Sequence, residues 1–168
     1  MSLLAGLCWL GLWLFGAFSS PVSPAYDAEE IAFVEALNRY RVEVGVQPVE
    51  LSETLTLAAE RHNHDMSTYD FLSHATEESE WFEPGDMPWD RACDCGYGKA
   101  LAGEVIVAGV SDPLAALEAL KASGPHQEVM VCAELVMVGL ARDYFEGSSW
   151  SWYWTVDFGG NTDERSKQ

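Results

Sequence analysis

The sequence predicts an α+β domain, because two helical patterns open its folded part, a third lies in the middle and two strand-like runs close it. In residues 150–155 of the last run, tryptophans alternate with serine, tyrosine and threonine. Neither set is clearly polar, so both faces of this strand need cover. We therefore expect helices packed on both faces of a small sheet.

Length and composition indicate one exported domain. The chain has 168 residues, of which 48% are hydrophobic and 12% aromatic, enough to bury one core. Residues 1–25 contain the apolar run Leu3 to Phe18 and then small residues, which is typical of a secretory signal. No Lys or Arg precedes the apolar run, so an uncleaved membrane anchor is the alternative. We expect the domain to span residues 26–160, a polar tail to span residues 161–168, and the protein to be secreted or extracytoplasmic.

The charge of the chain excludes some partners. The formal net charge is −18, and the first charged side chain is Asp27. Nucleic acids and anionic membrane surfaces would repel such a domain. We therefore predict no nucleic-acid partner, and membrane contact only through an uncleaved N-terminal segment.

Capping and breaking residues set the predicted elements. Asp27 caps a first helix that Gly45 and Pro48 end, and Ser52 caps a second helix that runs to about Met66. The Pro- and Gly-broken stretch from Ala75 to Pro88 predicts a long loop. The remaining predictions are a helical turn at Trp89–Cys93, a strand at Glu104–Ala108, a helix from Asp112 to Ala122, and β-type runs at Glu134–Tyr144 and Trp150–Phe158 joined by a turn at Glu146–Ser149.

Three cysteines follow the N-terminal segment: Cys93, Cys95 and Cys132. Cys93 and Cys95 are too close in sequence to pair comfortably, so a bridge from one of them to Cys132 is expected in an exported protein. A Cys-x-Cys metal site is the alternative, although no second cysteine pair would complete it.

The candidate site consists of His74, Glu104 and His126. Both histidines stand in predicted turns, and Glu104 begins an otherwise apolar strand, where a carboxylate is costly to bury unless it is paired, protonated or metal-bound. Two imidazoles and a carboxylate suit Zn²⁺ or another divalent ion with an open coordination position. The ordinary alternative is that Glu104 reaches water at a strand end. His62 and His64 are interpreted as structural residues of the second helix.

The order of several short motifs resembles the CAP superfamily, which includes cysteine-rich secretory proteins, insect venom antigens and plant pathogenesis-related proteins, and most closely its short bacterial secreted branch. The likeness runs from about Ala28 to Gly159. It is carried by Leu37-Asn38-Arg39-Tyr40-Arg41, Leu51-Ser52, Ala59, His62, Asp65-Met66, Phe71-Leu72-Ser73-His74, Asp90-Arg91, Gly96-Tyr97, Gly103-Glu104, Ser123-Gly124-Pro125-His126, Val138-Gly139-Leu140 and Tyr153-Trp154-Thr155-Val156-Asp157-Phe158-Gly159.

The resemblance implies a three-layer α-β-α sandwich with a small central antiparallel sheet, and a cavity lined by two His and two Glu that binds divalent metal in some members. His74, Glu104 and His126 match three of these four positions. Glu118, the nearest candidate for the fourth, is out of register. The usual Asn after the Gly-Glu pair is replaced by Val105, and the usual Trp of the helix before His126 is replaced by Leu120.

Three functions are consistent with this sequence. The first is a secreted CAP-like protein whose groove binds a small-molecule, lipid or cell-surface ligand at His74, Glu104 and His126, with a divalent ion such as Zn²⁺ as a conditional cofactor. The second is a metal-dependent extracellular hydrolase with Glu104 as general base. The third is a structural cell-surface or cell-wall module. Binding is favoured over catalysis, because no nucleophile elbow, His-Glu-x-x-His helix or phosphate-binding glycine loop is present in the sequence.

Overall fold

A computed structural model describes residues 26–98 and 102–160. The predicted signal segment (residues 1–25, with Cys8) and the predicted tail (residues 161–168) lie outside the described residues. The helices within the described ranges are α1 (Ala28–Glu43), α2 (Glu53–Thr68), α3 (Pro88–Asp94), α4 (Pro113–Lys121) and α5 (Gly124–Met130). The strands there are β1 (Glu50–Leu51), β2 (Ala102–Ala108), β3 (Met137–Tyr144) and β4 (Trp152–Gly159).

The strands form one mixed sheet in the order β1-β3-β4-β2. The predicted hairpin is present: β3 and β4 are antiparallel, with Met137 opposite Gly159 and Tyr144 opposite Trp152. β2 is antiparallel to β4 along its whole length, so the three long strands agree with the expected antiparallel sheet. The two-residue β1 departs from it, because it pairs parallel to β3.

Helices cover both faces of the sheet, which confirms the predicted α-β-α sandwich. Alternate residues of β4 point to opposite layers. Trp154 and its like-facing neighbours share one core with the buried sides of α1, α4 and α5. Tyr153 packs with Met66 of α2 on the other face, and Ala92 of α3 packs there with Leu55.

Asn63 fixes α2 to the sheet through a fully buried amide. Its Nδ2 donates to the Ala141 carbonyl (3.0 Å) and to the Asp143 carboxylate (2.9 Å), and its Oδ1 accepts from Thr155 Oγ1 (2.7 Å). A buried polar group is tolerated where its partners are complete. The register of α2 over β3 and β4 is therefore set by hydrogen bonds as well as by apolar packing.

Several predicted boundaries need correction. His126 was predicted in a turn but is the third residue of α5, because Pro125 occupies the first turn of that short helix. β3 begins at Met137 rather than Glu134, since the chain is still turning at Leu135, whose N–H donates to the Cys132 carbonyl (3.3 Å). Among the described residues, no helix is both long and apolar enough to cross a membrane.

The predicted disulfide is not formed. Cys93, Cys95 and Cys132 are all free thiols. Cys95 is buried against Ala58 of α2, whereas Cys132 packs on the core shared by α1, α4 and α5. The sheet separates these two layers, so Cys95 and Cys132 lie on opposite sides of it. No group of three or more His, Cys, Asp or Glu in the described ranges has the arrangement of a metal site, which also leaves the alternative Cys-x-Cys centre without ligands there.

Candidate functional site

The site lies at the outer edge of β2, the last strand of the sheet. The segment that follows α2 carries His74 from one layer, and α5 carries His126 from the other. Past the edge of the sheet, the two layers can meet. Gly103 permits the approach of α5, since a Cβ there would lie 2.9 Å from a methyl group of Val129.

Glu104 is the centre of the arrangement, and its side chain is fully buried. Its Oε1 accepts a hydrogen bond from His74 Nδ1 at 2.7 Å. Its Oε2 pairs with Nη2 of Arg91 at 2.5 Å, and the Arg91 side chain is equally buried. Both carboxylate oxygens are therefore engaged by groups of the protein.

Arg91 is in turn held by the loop that leads to α3. Its Nη1 donates to the His74 carbonyl (2.8 Å), the Asp86 carbonyl (3.0 Å) and Thr76 Oγ1 (3.3 Å). The same loop is closed on itself by the bond from the Thr76 N–H to the Asp86 carbonyl (2.9 Å). One guanidinium thus fixes the loop, the backbone of His74 and the carboxylate together.

The imidazoles are the solvent-facing part of the site. The side chain of His74 is 45% exposed, and His126 is half-buried. Their ring centroids are 6.0 Å apart, with the rings edge to face. Because His74 Nδ1 is directed to Glu104, its Nε2 is left for an external partner.

Local charges and burial shift the pKa values of the two histidines in opposite directions. The hydrogen bond that His74 donates to Glu104 raises the pKa of His74, against the opposing effect of burial. Burial, followed by the charge of His74, lowers the pKa of His126. Although burial alone would raise the pKa of Glu104, the Arg91 charge and the His74 hydrogen bond lower it overall, so the carboxylate is ionised. One imidazole is therefore the better proton donor and the other the better acceptor.

Two further ionisable groups lie beneath the site, on the α2 face of the sheet. Asp157 is directly opposite Glu104 in the β2–β4 pair, and its buried carboxyl group lies within hydrogen-bonding reach of the Glu104 carboxylate. Burial, followed by the Glu104 charge, raises the pKa of Asp157 well above its usual range. His62 is fully buried, with Nε2 at 2.9 Å from the Ser73 carbonyl.

Other candidates lie elsewhere. Glu118 forms an exposed ion pair with Lys121 (2.6 Å) on α4 and contributes nothing to the site. His64 is half-buried and packs edge to face on Trp81, with ring centroids 5.0 Å apart. A shallow surface hollow of ≈ 570 Å³ along α1 includes neither histidine and is lined by Glu35, Asn38, Arg39, Val42, Glu43 and Pro48.

The residues do not fit the metal site that the resemblance implies. The Glu104 side chain is fully buried, its charge is balanced by Arg91 and its other oxygen is hydrogen-bonded to His74, so the carboxylate is not presented to an external ion. Within the described ranges, no three His, Cys, Asp or Glu side chains are grouped as a metal site would require. Two imidazoles alone fall short of the three or four protein ligands of ordinary zinc sites.

Comparison with known proteins places the chain. The model of the cysteine-rich secretory protein family, CAP, matches residues 34–158. The chain belongs to this family. No curated protein matches it significantly.

Several solved structures resemble the fold at low sequence identity. An outer surface protein of Borrelia burgdorferi is 17% identical, with a TM-score of 0.67 over 82% of this chain and 97% of that protein. An extracellular SCP-domain protein of Bacillus anthracis is 19% identical, with a TM-score of 0.64 over 83% of this chain and 45% of that one. A cysteine-rich secretory protein of Staphylococcus aureus is 15% identical, with a TM-score of 0.54 over 78% of this chain and 38% of that one. This chain therefore spans less than half of the last two proteins, and the likeness concerns the fold.

Proposed function

We propose that this chain is an extracellular CAP-domain module that binds a ligand through the imidazoles of His74 and His126 and does not catalyse a reaction. The observation that carries the proposal is the division of the site into two parts. Glu104 and Arg91 are fully buried and paired with each other, whereas the two imidazoles reach the surface. Such an arrangement holds hydrogen-bonding groups in fixed positions for recognition.

Export is supported by sequence and by likeness. The apolar N-terminal segment is typical of a secretory signal, and the strongly acidic remainder suits a soluble exported domain. Two of the similar structures are an outer surface protein and an extracellular protein. Fractionation of the source cells tests this part, and recovery of the chain only from the cytoplasm would contradict it.

The ligand class we propose is a lipid or small amphipathic molecule with a polar head group. The imidazoles offer one favoured hydrogen-bond donor and one favoured acceptor, and the exposed Leu72 lies two residues before His74. A polar head group could meet the imidazoles while an apolar part contacts neighbouring surface.

Lipid extraction from purified protein tests this proposal. We expect the wild type to release a co-purified lipid and the double variant His74→Ala, His126→Ala to release several-fold less. Glu146→Ala, in the exposed loop between β3 and β4, is the matched control and should behave as the wild type. A consistently empty wild type would remove this ligand class and favour a structural cell-surface module, and equal yields from wild type and double variant would remove the histidines from the site.

The rival metal-dependent hydrolase needs Glu104 to reach a reacting water. The carboxylate has no exposed surface, and its oxygens are hydrogen-bonded to His74 and Arg91. We therefore expect no chelator-sensitive turnover of a panel of peptide and ester substrates. Turnover that is lost both with a chelator and in Glu104→Gln would establish the hydrolase instead.

A further inference from the structure

We infer that Arg91 takes the place of a divalent cation at Glu104, so that this carboxylate is not a metal ligand in this chain. The inference is independent of the proposed function, because recognition by His74 and His126 requires no ion. It concerns which group balances the negative charge of Glu104, the one carboxylate among the three residues predicted to bind metal.

The first step is the occupancy of the carboxylate. Arg91 Nη2 lies 2.5 Å from Oε2, and His74 Nδ1 lies 2.7 Å from Oε1. A zinc ion would need one of these oxygens at about 2.0–2.2 Å. An ion at Glu104 would therefore have to share its oxygen with the guanidinium or the imidazole, or displace one of them.

The second step is that the guanidinium is not free to leave. Nη1 donates to two backbone carbonyls, those of His74 and Asp86, and to the hydroxyl of Thr76. These contacts lie in a buried or partly buried region, where an acceptor left without its donor is destabilising. Moving Arg91 away would break all of them as well as the pair with Glu104.

The third step is charge. A divalent ion on Oε1, with Arg91 kept on Oε2, would place like charges on either side of one buried carboxylate. Coulomb repulsion is strong at such short range where water is excluded. The single negative charge of Glu104 is already balanced by the single positive charge of Arg91, so no uncompensated carboxylate remains to attract an ion.

A zinc soak of wild-type crystals, with data collected at the zinc absorption edge, tests the inference without any substitution. We expect Arg91 Nη2 to remain on Glu104 and the anomalous map to show no zinc on either carboxylate oxygen, whether or not zinc is found on the imidazoles. A zinc ion at about 2.0–2.2 Å from a Glu104 oxygen would overturn the inference.

Calorimetric titration with zinc chloride supplies a second test. Arg91→Met should raise zinc affinity at least tenfold by freeing Glu104, and the double variant Arg91→Met, Glu104→Gln should lose that gain. No gain in a folded Arg91→Met would contradict the inference. Circular dichroism checks folding, and if Arg91→Met does not fold, the zinc-soaked crystal decides.

Discussion

Gly139 marks the place where β3 passes closest to the start of α2. A Cβ at this position would lie 2.1 Å from the Thr56 backbone nitrogen and 2.4 Å from Leu55 Cβ. Backbone atoms cannot move aside as a flexible side chain can, so we expect Gly139→Ala to lower the free energy of unfolding by about 3 kcal/mol or more. Urea unfolding measures the loss. Gly124→Ala is the control, since a Cβ there meets nothing within 4 Å, and equal effects of the two substitutions would contradict the packing argument.

His62 gives the fold a defined response to acid. Burial lowers its pKa from 6.5 to about 4. Between these values the unfolded chain binds a proton that the folded protein does not, so stability is full above 6.5 and is lost as the pH falls towards 4. The linked loss is about 3 kcal/mol, at 1.36 kcal/mol per pKa unit.

Comparison with His62→Gln isolates this response. We expect urea unfolding of the wild type to lose about 3 kcal/mol more than the variant between pH 7 and pH 4, because glutamine does not titrate. Parallel curves for the two proteins would show that His62 is not the group responsible.

At the residue scale, the sequence predicted that Glu104 belongs to the site, but it did not predict that Arg91 pairs with it. Glu104 stood out because a carboxylate in an apolar strand needs a partner. Arg91 did not, because its acceptors are mostly loop carbonyls, which no side-chain pattern reveals. One clue to this pairing was present in the sequence, the small number of basic residues. The chain has nine Lys and Arg, so few side chains could balance the charge of a buried acid. Asp157 did not stand out in the sequence, because it lies in the strand whose alternating aromatic residues dominate the pattern.

Between elements, Arg41 of α1 holds the segment that follows α5. Its buried guanidinium donates to the carbonyls of Met130 (2.6 Å), Leu135 (2.8 Å) and Cys132 (3.2 Å). We expect Arg41→Met to lower the free energy of unfolding by about 3–5 kcal/mol, since several acceptors lose their donor at once. Arg39→Met, which removes an exposed arginine from the same helix, should stay within about 0.5 kcal/mol. A small effect of Arg41→Met in chemical denaturation would contradict this anchoring role.

Helices and strands formed by contacts between residues close in sequence were easier to predict than those formed by contacts between distant residues. Three helices have a capping residue directly before their first residue: Asp27 for α1, Ser52 for α2 and Asp112 for α4. Each capping side chain accepts a hydrogen bond from a nearby backbone N–H, which sequence spacing can reveal. β1 is different. Its two residues become a strand only by pairing with Met137 and Val138, more than eighty positions away. α5 was missed because a Ser-Gly-Pro start is equally typical of a turn.

For the whole molecule, the disulfide prediction failed where topology mattered. An exported chain with three cysteines beyond its N-terminal segment gave reasonable grounds for expecting a bridge to Cys132. The sequence could not show that Cys95 and Cys132 belong to opposite layers of the sandwich. Fold class, in contrast, depends on the order of elements and on apolar patterning, both of which are present in the chain itself.

The net charge of −18 makes the stability of the whole molecule depend on salt. Like charges on a compact surface repel one another, and the Debye length falls from about 10 Å at 0.1 M to about 3 Å at 1 M salt. We therefore expect NaCl at about 0.5 M to raise the free energy of unfolding by on the order of 1 kcal/mol over a low-salt buffer at pH 7, measured in urea because urea is uncharged. Near the sequence pI of ≈ 4.3 the same salt step should have little effect, because the net charge has vanished. Destabilisation by salt at pH 7, or an equal gain at both pH values, would mean that specific ion pairs rather than net repulsion govern the response.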